Sequence, residues 1–227
     1  MSRAIEQTAS RRRTTCDTGC DTAPDAEQRL TVLARAHWPE HPADTVPPLP
    51  GFVQAGFNPL VAEVAARCLR DQQLSDPTRT GVLLASTRGD TLTPRLVAAA
   101  LAEGRAVPPL LFYQSNPNAV AGQVAARWGL GGPVVCIAPP VGDPAATPTD
   151  LLLNTLADAL SCAALLLADG EAEQLLVVAA EQRADTGEPE RAVALLVTAE
   201  HPAPTDTTAP GARQHHPSTE EEKGSRA

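Results

Sequence analysis

The segment from Thr149 to Ala168 is the strongest constraint on how this chain can fold. Its polar residues Asn154, Asp158 and Ser161 recur at helical spacing and form one narrow stripe. Nearly every other side chain is apolar, with Thr149 or Asp150 placed to cap the start. A helix apolar over most of its circumference must be covered on several sides, so it is expected at the centre of a layered structure. The apolar run from Cys162 to Ala168 is closed by Asp169, and with the polar stripe this argues against a membrane span. Two strand-like runs follow, Gln174 to Ala180 and Ala192 to Thr198. The polar link between them contains Asp185-Thr-Gly-Glu-Pro189, which suits a hairpin-like turn.

Upstream, helical and strand periodicities alternate. Leu30 to Ala36 reads as a short strand, and the five prolines between Pro39 and Pro50 demand an extended connection. Asn58 and Pro59 suit the start of a helix whose Leu60, Val61, Val64, Ala65, Cys68 and Leu69 share one face. Thr80 to Thr87 is a continuous apolar strand of the kind buried on both faces. Thr93-Pro94 opens a second helix, with Leu96, Val97, Ala100 and Leu101 expected inward. Asn116-Pro117 opens a third, stopped at Gly129, and Pro133 to Ala138 is a strand. The order β-α-β-α-α-β-α-β-β predicts an α/β layered fold with a mixed five-stranded sheet.

Residues 1–27 and 201–227 are aperiodic and polar, and read as disordered tails around a domain at 28–200. That domain holds eleven arginines against eighteen acidic residues, so nucleic acid is not an expected partner. The N-terminus has no apolar signal region, and Cys68, Cys136 and Cys162 lie in apolar contexts. Both features suit a reduced, cytoplasmic protein.

The stretch Leu111-Phe-Tyr-Gln-Ser-Asn-Pro-Asn-Ala-Val-Ala-Gly122, running through Gly-Gly-Pro133 into Val134–Ile137, resembles the approach to the active site of β-ketoacyl synthases. Phe57 to Leu69 is similar to that family's first long helix, and Thr80-Gly-Val-Leu-Leu-Ala-Ser-Thr87 to its Gly-Val-Leu-Leu-Gly-Thr strand. Leu175 to Gln182 and Ala192 to Thr198 resemble its fourth and fifth strands, with the usual insertion between them nearly deleted. The resemblance covers most of 28–200 and implies the N-terminal half of a thiolase-like fold. Short standalone ketosynthase N-terminal-like proteins are the members it most resembles.

Two departures bear on chemistry. Where the family has a Thr-Ala-Cys-Ser turn, this chain reads Ala138-Pro-Pro-Val-Gly-Asp-Pro-Ala-Ala-Thr147. The family's nucleophile would fall near Val141 or Gly142, and neither can form a thioester. The C-terminal half, source of the family's two catalytic histidines, is not expected here. His37, His41, His201, His215 and His216 lie in strand ends, loops or tails and do not replace them. No catalytic, cofactor-binding or metal-binding residue is therefore expected.

Several local patterns have ordinary explanations. Cys16 and Cys20 lack a second ligand pair for zinc, and Arg88-Gly-Asp90 reads as a turn. Gly129-Leu-Gly-Gly132 follows a helix instead of preceding one and lacks the lysine of a phosphate loop. The resemblance implies a non-catalytic, chain-length-factor-like pseudoenzyme of polyketide or fatty-acid-type biosynthesis. It would dimerise with a ketosynthase subunit, or with itself, through Val134, Val135, Cys136, Ile137 and Ala138. A degenerate acyl-transfer enzyme is the alternative from a second class. A carrier-protein-binding assembly module, with acyl carrier protein as partner, is a third.

Overall fold

The computed structural model describes residues 29–140, 147–182 and 190–200. Both expected tails, most of the link after Gln182, and Val141 and Gly142 lie outside the described residues. Five strands form one sheet in the order β1-β5-β4-β2-β3. These are β1 (Leu30–Trp38), β2 (Thr80–Ala85), β3 (Val134–Ile137), β4 (Gln174–Glu181) and β5 (Arg191–Ala199). β3, β2 and β4 run parallel, while β5 is antiparallel to β4 and β1 antiparallel to β5. The mixed sheet follows from its connections. Parallel neighbours need a helical crossover, whereas β4 and β5 are joined directly.

Every residue of β2 and β4 is buried, as continuous apolar strands require. Alternate side chains divide between two cores. Val82, Leu84, Leu176 and Val178 face α1 (Phe57–Leu69) and α4 (Pro117–Trp128). Leu83, Leu175 and Val177 face α5 (Pro148–Ala168). The step from β2 to β3 and the step from β3 back to β4 move in opposite directions across the sheet. Right-handed crossovers then place their helices on opposite faces.

The helix starts differ from the expected ones. Asn58 is not the cap of α1: it lies inside the helix, wholly buried, and its Nδ2 donates to the carbonyl of Gln114 at 3.2 Å. α2 (Leu92–Ala102) begins before Thr93, because Asp90 accepts from the backbone N–H of both Leu92 and Thr93. Only Thr93 and Ala100 of α2 are buried, and Leu101 is 65% exposed instead of inward. A short helix unseen in the periodicity, α3 (Pro109–Ser115), follows it. α5 is capped by Thr147, not Thr149. Its hydroxyl accepts from the Asp150 N–H while the Asp150 carboxylate accepts from the Thr147 N–H.

α5 is seated across β2, β4 and β5, but among the described residues it is not covered on the several sides that its composition led us to expect. Thr155, Ala159 and Ala163 on its sheet side are fully buried. Coverage is one-sided among the described residues, since Leu153 is 58% and Leu165 66% exposed. A single sheet can bury only one side of a helix. By length and composition α5 could cross a membrane, but here its inner side forms one of the two cores.

The junction of β2 and β3 is closely fitted. Gly132 donates its N–H to the Thr80 carbonyl, and a Cβ on Gly81 would sit 2.6 Å from the Pro133 carbonyl oxygen. Gly81→Ala is expected to cost about 1–3 kcal/mol through this overpacking. Gly122→Ala, with nothing within 4 Å of the added atom in α4, should be neutral or stabilising. Urea denaturation of the two variants checks the contrast.

Candidate functional site

The carboxyl ends of the parallel strands are where α/β folds place their sites. Here the loop after β2 is held by polar groups at the end of β4. The Glu181 carboxylate Oε1 accepts from the Thr87 N–H at 2.6 Å and the Thr155 hydroxyl at 2.9 Å. Gln182 Oε1 accepts from the Thr91 N–H at 2.8 Å and from the Thr91 hydroxyl. Within the loop, Gly89 takes a left-handed conformation (φ 62°) and donates its N–H to the Ser86 hydroxyl. Arg88-Gly-Asp90 is thus the expected turn, and its aspartate caps α2.

A second buried amide fixes the opposite wall. Gln114, fully buried at the end of α3, donates to the Val53 carbonyl and the Thr93 hydroxyl while its Oε1 accepts from the Val53 N–H. Every polar atom of that side chain is satisfied, so α2, α3 and the chain near Val53 are locked together. Periodicity could not have found Gln114 or Glu181. The one available signal was the polar pair Glu181-Gln182 ending an otherwise apolar strand.

Between these walls lies an open pocket of about 280 Å³. Its lining includes Ser86, Thr87, Arg88, Ser115 and Cys136. The chemistry it offers is limited. Burial pushes the Cys136 thiol up to about 11, so it is protonated at neutral pH. Among the described residues, no histidine lines the pocket. Thr155 is hydrogen-bonded to the Glu181 carboxylate, but it is wholly buried and cannot meet a substrate. The pair instead anchors the Thr87 loop. Among the described residues, no group of three or more His, Cys, Asp or Glu could hold a metal ion.

β3 forms the other side of this site. Among the described residues it is an edge strand, bonded only to β2. Val134 is 40% exposed, Val135, Cys136 and Ile137 are half-buried, and Ala138 just beyond the strand is exposed. The five residues singled out in the sequence are therefore contiguous along one open edge. Cys68 is buried with its thiol also pushed up to about 11, while Cys162 lies half-buried on α5. Cys16 and Cys20 fall outside the described residues.

No protein-family model matches the sequence, and no curated protein sequence matches it. Among solved structures, the chain is similar to one in the complex of the ketosynthase ApeO with its chain length factor ApeC from Xenorhabdus doucetiae. The TM-score is 0.52 at 18% identity, covering 74% of this chain and 78% of that one. It is also similar to the ishigamide ketosynthase/chain length factor. There the TM-score is 0.50 at 21% identity, covering 69% of this chain and 48% of that one. The chain thus has the thiolase-like α/β fold implied by its sequence motifs, and spans about half the length of the second structure.

The state of Cys136 can be checked directly. Its alkylation by iodoacetamide should be slow at pH 7 and rise as pH climbs toward about 11, because only the thiolate reacts. A rate that saturates near neutral pH, followed by peptide mass spectrometry, would contradict a protonated thiol.

Proposed function

We propose that this protein is a non-catalytic, ketosynthase-like partner in polyketide or fatty-acid-type biosynthesis. In this reading it pairs through the free edge of β3 with a ketosynthase subunit or a second copy. The observation that carries the reading is the position of Val134–Ile137. In a ketosynthase-like fold, the apolar strand singled out for pairing is left at the sheet edge, beside the pocket. An uncovered apolar edge invites another chain. The similar fold within a complex of a ketosynthase and its chain length factor supports the same role.

Catalysis of the family type is not part of the proposal. The sequence offers neither thiol nor hydroxyl at Pro139-Pro-Val-Gly142, the pocket's own cysteine is protonated, and the Asp90 carboxylate that also lines the pocket is engaged by the start of α2. The role is shaping or stabilising the partner's acyl site, in the cytoplasm and without a cofactor. Residues 28–200 are the domain that performs it.

The test is co-expression with ketosynthases encoded nearby, followed by sedimentation velocity of the purified complex. Val135→Lys should abolish the assembly and keep the far-UV circular dichroism of the wild type, since the charge enters a desolvated seam. Val177→Lys, in the fully buried centre of β4, should instead unfold the chain. Unchanged mass for Val135→Lys would contradict the interface. A stable acyl adduct on Cys136 in intact-mass spectra, after incubation with acylated carrier protein, would contradict the non-catalytic reading.

A further inference from the structure

The polar groups of the pocket beside β3 are unevenly matched. Three hydroxyls line it, those of Ser86, Thr87 and Ser115. A hydroxyl has a single proton to donate, so each can be followed to its acceptor. Ser115 gives its proton to the Phe112 carbonyl at 2.8 Å. Thr155 gives its proton to the Glu181 carboxylate. In its 2.9 Å contact with Thr87 it is therefore the acceptor, and the Thr87 proton is committed there. Ser86 differs from both. Its oxygen accepts from the Gly89 N–H at 2.8 Å, and among the described residues its own proton meets no acceptor. The Ser86 side chain is only 7% exposed, and a buried donor left unpaired is costly until something supplies the acceptor.

Charge is distributed in the same sense. Arg88 is half-buried in the lining, and its guanidinium has no partner among the described residues. Asp90, the carboxylate in the lining, is turned to α2 instead. It accepts from the N–H groups of Leu92 and Thr93 and from the Thr93 hydroxyl. Burial keeps the Cys136 thiol protonated at neutral pH, so it too presents a donor. The uncommitted side-chain protons of this cavity therefore lie on Arg88, Ser86 and Cys136, and Arg88 is a permanent cation.

The complement of such a lining is an acceptor that carries negative charge. A planar carboxylate matches the guanidinium fork and keeps lone pairs for a hydroxyl. Phosphate also suits the fork, but as a dianion it is repelled more strongly by the Asp90 carboxylate in the same wall. Leu84, Pro117, Ile137 and Ala138 complete an apolar portion against which a hydrocarbon tail is buried. At about 280 Å³ the cavity falls just below the range that holds drug-sized ligands, so the tail is short.

We infer that this pocket binds a small monocarboxylate, its carboxylate held by Arg88 and Ser86 and its hydrocarbon part lying on the apolar lining. Recognition is by charge. An uncharged amide or thioester of the same chain offers no anion to Arg88 and is not a ligand. The site lies within one chain, so it stands whether or not β3 pairs with a partner.

The experiment uses the full chain with butyrate as the probe, butyramide as its uncharged counterpart, and inorganic phosphate as the competing anion. Salt is held at about 0.15 M, where the chain's formal net charge of −9 is screened beyond about 8 Å. Amide NMR titration reads location and affinity. Protection of Cys136 from iodoacetamide at mildly alkaline pH, followed by peptide mass spectrometry, reads occupancy. Butyrate should saturably shift the amides of Ser86 to Asp90 and of Cys136 and slow alkylation of Cys136, while butyramide and phosphate do neither. Arg88→Gln and Ser86→Ala should each weaken butyrate by about tenfold or more, as the loss of a charge-assisted hydrogen bond does. Arg88→Gln removes no side-chain contact of the fold, so its melting temperature should match the wild type. Equal binding of butyramide would make the pocket an apolar slot and overturn recognition of the carboxylate. Equal or tighter binding of phosphate would overturn the monocarboxylate class. No saturable response to butyrate, or a response unchanged by Arg88→Gln, would overturn the site itself.

Discussion

Two buried parallel strands, β2 and β4, govern the rest of this structure. Being apolar on both faces, they need helices above and below. The chain reaches β3 from β2 on one side and returns to β4 on the other. Right-handed crossovers assign α4 to one face and α5 to the opposite one. That arrangement leaves β3 on the rim. Its outer edge stays open, because the chain's return crosses behind it and no later described strand is added there. The close fit of Gly81, Gly132 and Pro133 fixes how β3 meets β2, and so which backbone groups turn outward.

The strands and their number were legible in the sequence because apolar continuity is a strong signal. Val82–Leu84 and Leu175–Val178 could hardly be anything but core. Helix starts were less legible because capping is decided by geometry. Asn58 looks like a cap, but the helix begins one residue earlier and tertiary packing takes the amide to Gln114. Thr147 and Asp150 form their box three residues apart, which a search beginning at Thr149 misses. The nearly all-apolar α5 packs on the sheet as expected, but on one side only among the described residues. Its outer side, with Leu153 and Leu165 exposed, shows that its composition anticipates more cover than these residues provide.

The pocket illustrates what a sequence can and cannot disclose about a site. The lack of any cysteine, serine or threonine in Pro139-Pro-Val-Gly142 is visible from residue types alone. The polar framework is not, since Glu181, Gln182 and Gln114 contact partners tens of residues away. Glu181 and Gln182 hold the loop at Thr87 and Thr91, and Gln114 ties Val53 to Thr93. In the pocket itself, Asp90 is committed to the start of α2 and the Cys136 thiol is protonated at neutral pH.

The central claim is that the outer edge of β3 is the surface that assembly covers. Amide hydrogen exchange resolved by residue tests it most directly, on the isolated chain at low concentration and again in its assembled form. The account predicts that the amides of Val134, Cys136 and Ala138 exchange freely in the first state and become protected in the second. The amides of Val135 and Ile137, facing β2, should be protected in both. Unchanged exchange along β3, with new protection confined to the outer side of α5, would contradict it.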